Sequence, residues 1–175
     1  MFKNKIRAAA TGLAASAVAI GGLGLAGRAS AQNGPVHGCT IKTINGHYLT
    51  AVGGGGRTTD VLHTDATIAR GWEKFTLVDS GDGSPFHYGL QTINGHYLTA
   101  VGGGGRNTDV VHSDATQLQA WEKFTLVGQG PSLVAIQTTN GHYLTAVGGG
   151  GRITDAIHSD ATTVRAWEEF RVTCP

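Results

Sequence analysis

The chain has 175 residues, 28 of them glycine, with thirteen Lys and Arg against twelve Asp and Glu. Four of the basic residues and none of the acidic ones lie in the first 31 positions, so the rest carries nine basic and twelve acidic residues, a net charge of −3. Nucleic acids and anionic membrane surfaces are bound through basic faces that neutralise phosphate. The charge balance therefore argues against both as partners.

Residues 1–31 have the pattern of a secretory signal peptide. Three basic residues precede an Ala/Gly/Leu/Val run over residues 8–26, and Ala29-Ser30-Ala31 is a small-residue cleavage site. A permanent membrane anchor is the weaker alternative because glycines break the run and large apolar residues are few. We expect a secreted, extracellular protein that begins at Gln32 and has no membrane contact after processing.

The remainder of the chain consists of three copies of one unit, joined by connectors rich in Gly, Ser and Pro. The stretch NGHYLTAVGGGGR begins at Asn45, Asn94 and Asn140, and a Trp follows each Asn at a constant distance. Repetition of this kind indicates one supersecondary unit per copy. The predicted repeats cover about 39–78, 88–127 and 134–173 of a single domain, 32–175.

Within each unit, apolar alternation with turn residues and no helical periodicity indicates short strands. We expect a three-residue loop, Ile44-Asn45-Gly46, with Gly46 left-handed, because this register sets Ile41 opposite Leu49. The same alternation turns Tyr48 outward. The residues expected to face inward from these strands are Ile41, Leu49 and Ala51; Leu90, Leu98 and Ala100; and Ile136, Leu144 and Ala146.

The glycine run GGGGR resembles a phosphate-binding loop but lacks the Lys-Ser/Thr and the following helix that such a loop requires. We expect a flexible or left-handed turn, with its Arg either solvated or paired with the Asp three positions on. Two further strands complete each unit. Their predicted inward residues are Leu62, Phe75 and Leu77; Val111, Phe124 and Leu126; and Ile157, Phe170 and Val172.

Two cysteines, Cys39 and Cys174, lie at opposite ends of the repeat region. In an exported protein such a pair predicts a disulfide, here between the first and last strands. Three four-stranded units sealed end to end indicate an all-β fold, the β-trefoil, in which three hairpins cap a six-stranded barrel. Closure by threefold repetition leaves no long unpaired strand edge.

The phrase NGHYLTAVGGGG, followed by WEKF at Trp72 and Trp121 and by WEEF at Trp167, resembles the fascin-like β-trefoil repeat. The resemblance covers essentially all of 32–175 and implies the trefoil fold. For function it implies either actin-filament bundling, as in eukaryotic fascins, or carbohydrate binding, as supposed for secreted bacterial trefoils. Fascin has four trefoils and basic filament contacts, whereas this chain has one trefoil and is mildly acidic, which favours carbohydrate.

Two sets of residues are candidates for carbohydrate binding. The outward tyrosines offer an apolar face with a hydrogen-bonding tip, and packing against the neighbouring hairpin is the alternative. On the third strand, an imidazole and a carboxylate two positions apart are expected side by side, where they could bind vicinal sugar hydroxyls, serve a structural role or form half of a metal site. The candidates are Tyr48, Tyr97, Tyr143, His63, Asp65, His112, Asp114, His158 and Asp160.

The tryptophans Trp72, Trp121 and Trp167 are expected in the core or its bottom layer, with stacking on a sugar as the alternative. The glutamate that follows each of them is expected to hydrogen-bond to turn backbone. These residues are Glu73, Glu122 and Glu168.

Catalysis finds little support, because a nucleophile, base and stabiliser must converge asymmetrically and the His, Asp and Glu residues are nearly threefold repeated. Zinc needs three or four ligands from one locality, and each unit offers two. We therefore expect no enzyme, no cofactor and no metal. The expected function is a lectin-like module with three shallow sites for carbohydrate or polysaccharide. The alternatives are a fascin-like actin-binding or cross-linking protein and a protease inhibitor, which would need a distinctive loop such as DSGDGSPFH.

Overall fold

The computed structural model describes residues 34–175, and the predicted signal peptide lies outside the described residues. This part of the chain forms twelve β-strands, four in each repeat. They are β1 (Val36–Thr43), β2 (Tyr48–Ala51), β3 (Leu62–Ala66), β4 (Lys74–Asp79), β5 (His87–Gln91), β6 (Tyr97–Ala100), β7 (Val111–Ala115), β8 (Lys123–Gly128), β9 (Val134–Gln137), β10 (Tyr143–Ala146), β11 (Ile157–Ala161) and β12 (Glu169–Thr173). Short 3-10 turns cover Val52–Gly54, Val101–Gly103, Ala120–Glu122, Val147–Gly149 and Ala166–Glu168. Within residues 34–175, no helical segment has the length and apolar character needed to cross a bilayer.

Six antiparallel strands close into a barrel in the order β1, β4, β5, β8, β9 and β12, and β12 pairs again with β1. The other six form three hairpins, β2/β3, β6/β7 and β10/β11. Each hairpin meets the preceding barrel strand at its first residue. A six-stranded barrel with three hairpins is the β-trefoil that the sequence predicts.

The Asn-Gly turns adopt the predicted register. β1 and β2 pair at Lys42 and Tyr48, which sets Ile41 across from Leu49 and leaves three residues in the loop. Gly46 has a φ of 88°, and its amide donates to the carbonyl of Thr43 at 2.9 Å. The second and third repeats pair at Gln91 with Tyr97 and at Gln137 with Tyr143, which is the same register.

The core contains the side chains that the alternation predicts. The nine inward residues of the first two strands of each repeat are at most 1% exposed, and Phe75, Phe124 and Phe170 are equally buried inside the barrel. Leu62, Val111 and Ile157 close the core from the hairpin side and are also buried. Val172, also predicted to face inward, packs against the core while keeping partial exposure.

The glycine runs join each repeat to the next. Asn94, at the tip of the second repeat's turn, donates its side-chain amide to the carbonyl of Gly53 at 3.0 Å and its backbone amide to that of Gly54 at 3.2 Å. The amide of Gly56 donates to the carbonyl of Ser113, in β7, at 2.6 Å. Asn140 bonds the run of the second repeat, and Asn45 bonds that of the third, which closes the ring. The run is therefore a left-handed turn, one of the two predicted alternatives, and it is packed against the next repeat.

The predicted disulfide between Cys39 and Cys174 is confirmed, with Cα atoms 4.1 Å apart. It links strands that already pair through four rungs, from Thr40 with Thr173 to Thr43 with Phe170. The barrel is therefore closed both by hydrogen bonds and by a covalent bond at the point where the two ends of the repeat region meet.

Replacing both cysteines by alanine is expected to lower the free energy of unfolding by about 2–4 kcal/mol. The bridge spans 135 residues, so its removal frees a long loop of the unfolded chain, while the rungs between β1 and β12 maintain the fold. Urea unfolding of the double variant and the oxidised parent measures the difference. The control is the parent reduced with dithiothreitol, which keeps both sulfur atoms. Equal unfolding midpoints for the double variant and the oxidised parent would contradict the expectation.

Candidate functional site

The three candidate tyrosines are half-buried at the first position of β2, β6 and β10. Lys42, on the neighbouring barrel strand, holds its ammonium 4.4 Å from the centroid of the Tyr48 ring, which is a cation–π distance. Tyr97 packs over Gly89 of β5, where an added Cβ would come within 3.0 Å of the ring. Both rings therefore already have protein contacts, which supports a packing role, although the partner is a barrel strand rather than the neighbouring hairpin.

Each candidate histidine bonds to a carboxylate that is not among the candidates. His63 Nε2 lies 2.6 Å from Asp60 Oδ1, while Asp65 is exposed. His63 and Asp65 both lie on the outward side of β3, as the alternation predicts, but the imidazole bonds to Asp60 in the turn before the strand. The pairing of β2 with β3 shifts by one residue between Tyr48–Ala66 and Thr50–His63, which is a bulge in β3. Likewise His112 pairs with Asp109 at 2.8 Å and His158 with Asp155 at 2.6 Å, while Asp114 and Asp160 are exposed.

Asp60, Asp109 and Asp155 each lie at the centre of an Arg-Asp-His cluster. Arg57 Nη2 is 3.3 Å from Asp60 Oδ2, which is one of the two alternatives expected for this arginine, and the other two pairs measure 3.5 and 3.4 Å. The hydrogen bond from His63, with the positive charge of Arg57 as a smaller contribution, holds the pKa of Asp60 below its ordinary value. The constant spacing R-x-x-D-x-x-H in all three copies was the sequence signal for this cluster.

The clusters have a structural role in the loops and leave no free carboxylate oxygen for a ligand. Asp60 has a φ of 50°, which is uncommon for a residue with a side chain, and both of its carboxylate oxygens already accept bonds from protein groups. Tyr48 pairs with Ala66 and His63 with Thr50, so the tyrosine and the histidine occupy different rungs of the hairpin. The structure does not bring the two sets of candidates together at one place.

The three tryptophans are on the surface, contrary to the prediction that they belong to the core. Trp72, Trp121 and Trp167 are each 50% exposed. Trp72 lies in the turn before β4, where Glu73 takes the buried position and the indole is left on the surface.

Each tryptophan is presented by a turn that a buried carboxylate holds in place. Glu73 is 6% exposed, and its two oxygens accept from the Thr50 hydroxyl at 2.8 Å and from the Arg70 amide at 2.7 Å. The carbonyl of Trp72 accepts from the Ala51 amide at 2.9 Å. Glu122 and Glu168 make the same two bonds in their own repeats. This confirms the predicted bonds from the glutamates to turn backbone and gives three rigid, threefold-related indole platforms.

Replacing Glu168 by alanine is expected to lower the free energy of unfolding by about 3 kcal/mol, because it leaves the hydroxyl of Thr145 and the amide of Arg165 without their partner in a buried position. Glu169, the next residue, is half-exposed and makes no side-chain hydrogen bond within residues 34–175. Its alanine variant is the matched control and should change stability by less than about 0.5 kcal/mol. Chemical denaturation measures the free energy of unfolding of both variants. Equal losses of stability in the two would contradict the role of Glu168.

Shallow grooves adjoin the tryptophan turns of the first and second repeats. The groove beside Trp72 has a volume of about 320 Å³ and is lined by residues of the turn itself, Arg70 to Glu73. The second groove, which we call the second-repeat groove, adjoins the turn that carries Trp121 through Gln119 and Ala120 and has a volume of about 370 Å³. It draws its lining from six segments: the connector before β5, the strand β5, the turn before β8, the strands β8 and β9, and the turn that follows β9.

Metal-ligating side chains do not gather at any of these places. Within residues 34–175 there is no group of three or more His, Cys, Asp or Glu residues that could hold a metal ion. The polar groups on the surface are instead hydroxyls, amides, single carboxylates and single cations. Such a set can hydrogen-bond to a neutral polar ligand.

No protein-family model and no curated protein matched the sequence. Solved structures share its fold. ThreeFoil, a designed 3-fold symmetric protein, superposes with a TM-score of 0.64 at 14% identity, over 79% of this chain and 98% of ThreeFoil. SeviL bound to asialo-GM1 saccharide superposes with a TM-score of 0.57 at 14% identity, over 79% and 98%. The exo-β-1,3-galactanase 1,3Gal43A from Clostridium thermocellum superposes at 0.65 and 10% identity, over 80% of this chain and 30% of the galactanase. At these identities the similarity shows the β-trefoil fold alone.

Proposed function

We propose that this chain is a secreted, non-enzymatic carbohydrate-binding module with three similar shallow sites, one in each repeat. The observation that carries the proposal is the threefold set of half-exposed tryptophans on turns pinned by buried glutamates. An indole face stacks on the C–H face of a pyranose. Because the turns are already fixed, little conformational entropy is lost when a sugar binds.

The similar structures support a saccharide as ligand. SeviL is described with a bound saccharide, asialo-GM1, so a chain of this fold and nearly this length can carry a sugar. The galactanase is similar only over 30% of its length, which leaves most of that enzyme without a counterpart here. In this chain the carboxylates of Glu73 and Asp60, with their counterparts, are engaged in structural bonds, which supports binding rather than catalysis.

Threefold symmetry gives the proposal a quantitative consequence. Three weak sites on one rigid body raise the avidity for a polysaccharide or a dense glycan surface without any new contact, by about 10²–10⁴-fold over a single site. A soluble monosaccharide gains nothing from this effect. The protein should therefore bind insoluble or immobilised glycans far more tightly than free sugars.

A glycan array combined with pull-down on insoluble polysaccharides tests the proposal. The probe is the protein secreted from its full-length precursor, whose N-terminal sequence also shows whether processing occurs before Gln32. Binding to a defined group of glycans is the expected result. Absence of binding both on the array and in the pull-down would refute the carbohydrate assignment.

The fascin-like alternative is tested by co-sedimentation with filamentous actin. Because residues 32–175 carry nine basic against twelve acidic residues, we expect the protein to remain in the supernatant. Co-sedimentation with actin, together with a blank glycan array, would replace the carbohydrate assignment by the filament-binding one.

A further inference from the structure

The three repeats are not equivalent on the outer face of the barrel. In the second repeat, His87 of β5, Thr125 of β8 and Gln137 of β9 form one row across three adjacent strands, because Thr125 pairs with both of the others. This row forms the floor of the second-repeat groove. Three polar side chains on neighbouring strands stand about 5 Å apart, a spacing that suits the hydroxyls of one sugar ring.

The connector between β4 and β5 supplies a separate partner for the histidine of this row. Asp82 of the connector bonds to the imidazole of His87, with Nδ1 2.8 Å from Oδ2, so this imidazole nitrogen does not bond to the hydroxyl of Thr125. In the first repeat the corresponding row is closed, since His37 Nδ1 lies 3.0 Å from the hydroxyl of Thr76. Within residues 34–175 the hydroxyl of Thr125 has no such partner. DSGDGSPFH, the connector that departs most from the symmetry, thus changes the chemistry of the row next to it.

The third repeat offers a poorer row for a neutral ligand. There Arg171 of β12 pairs with Lys42 of β1, so two positive side chains lie next to each other where the second repeat has a hydroxyl and an amide. The ammonium of Lys42 also lies over the ring of Tyr48. Desolvating these charges would oppose the docking of an uncharged sugar.

The polar groups of the second-repeat groove are balanced in charge and in hydrogen-bonding character. Hydrogen bonds from His87, Ser84 and Ser80 hold the pKa of Asp82 far below its ordinary value, so its carboxylate carries a negative charge at neutral pH. Gln137 donates its amide to the carbonyl of Gly141 at 3.1 Å, which leaves its carbonyl oxygen as an acceptor. Lys123, which makes no ion pair within residues 34–175, supplies a cationic donor.

We propose that the second-repeat groove is the principal saccharide site of the protein and that it takes a neutral pyranose unit. The inference rests on the proposed carbohydrate-binding function and deepens it. Sugar hydroxyls donate to Gln137 and accept from Lys123, and the turn that carries Trp121 contributes Gln119 and Ala120 to the wall of the groove. Its volume of about 370 Å³ is at the lower end of the roughly 300–1,000 Å³ of small-molecule sites. The net charge of the carboxylate and the ammonium together is near zero, which favours a neutral over an acidic sugar.

The near-identity of the repeats provides matched controls. Lys123 and Lys74 occupy the same place in identical WEKF stretches, but of these two only Lys123 lines the second-repeat groove. Lys123→Ala should weaken saccharide binding about tenfold, as for loss of a hydrogen bond to a charged group. Lys74→Ala should weaken it less than twofold. Thr125→Ala and Thr76→Ala form a second matched pair.

The experiment is an NMR titration of the mature protein with methyl glycosides of glucose, galactose, mannose and N-acetylglucosamine, and with methyl glucuronide as the acidic counterpart. We expect the largest amide shifts at Lys123, Thr125 and Gln137, with much smaller ones at Lys74, Thr76 and Gln91. Equal shifts in both rows, shifts confined to the tryptophan turns of the other repeats, or a preference for the glucuronide would overturn the inference while leaving carbohydrate binding intact. Absence of shifts with every glycoside, together with a blank glycan array, would instead refute the proposed function itself.

Discussion

Replacing Gly55 by alanine is expected to lower the free energy of unfolding by about 4 kcal/mol. Gly55 has a φ of 102° and a ψ of −178°, a region of the backbone map that is essentially restricted to glycine. An added Cβ would also lie 2.3 Å from the hydroxyl oxygen and 2.9 Å from the Cβ of Thr92. Thr92 is buried in the neighbouring repeat, so neither side of the contact can move away without opening the joint between the repeats. Urea unfolding measures the loss.

Two further variants separate backbone strain from the clash. Gly46 also has a positive φ, of 88°, but an added Cβ there would meet nothing within 4 Å. Gly46→Ala should therefore cost only the strain of a left-handed residue, about 1–2 kcal/mol. Thr92→Ala removes the hydroxyl and methyl groups that crowd the new Cβ of Gly55→Ala. The double variant should therefore lose about 1 kcal/mol less stability than the sum of the two single variants. Equal losses for Gly46→Ala and Gly55→Ala would show that the joint is not close-packed.

The fold was largely predictable because its determinants are local and threefold repeated. Alternation around Leu49 and Phe75 defines the inner face, Gly46 defines the turn, and Cys39 with Cys174 closes the ring. The glycine runs were only partly predictable. A left-handed turn follows from their composition, but their contact with Thr92 and Asn94 depends on how one repeat docks on the next, and no pattern within a single repeat contains that information.

The candidate site was harder to predict because it depends on residues in the turns, to which strand alternation does not apply. His63 bonds to Asp60, in the turn before β3, and strand periodicity says nothing about a residue outside the strand. Trp72 lies in the turn before β4, where strand alternation does not apply, and the size and apolar character of the indole suggested a core position. The buried carboxylate of Glu73 takes the inward position because the Thr50 hydroxyl and the Arg70 amide satisfy both of its oxygens.

The triple variant Trp72→Ala, Trp121→Ala, Trp167→Ala should lose at least 100-fold in avidity for an immobilised glycan identified on the array, while each single variant loses about three- to tenfold. A stacked indole contributes most of the apolar contact at each shallow site, and the three sites reinforce one another only on a multivalent surface. Stability should change by less than about 1 kcal/mol, because each ring is already 50% exposed. Surface plasmon resonance measures the avidity, and thermal unfolding confirms that the variant is folded.

The matched comparison is the triple variant Tyr48→Phe, Tyr97→Phe, Tyr143→Phe, which keeps the rings and removes only their hydroxyl groups. If the tryptophans are the platforms, this variant binds as the parent does. The chain contains three tryptophans in all, so intrinsic fluorescence reports on the proposed platforms without labelling, and saccharide binding should shift the emission towards shorter wavelength as the indoles lose water. A contrary result is possible: the tyrosine variant loses avidity, the triple tryptophan variant keeps it, and saccharide leaves the tryptophan emission unchanged. The platforms would then be Tyr48 and its counterparts, the residues that the outward register of the hairpin favours.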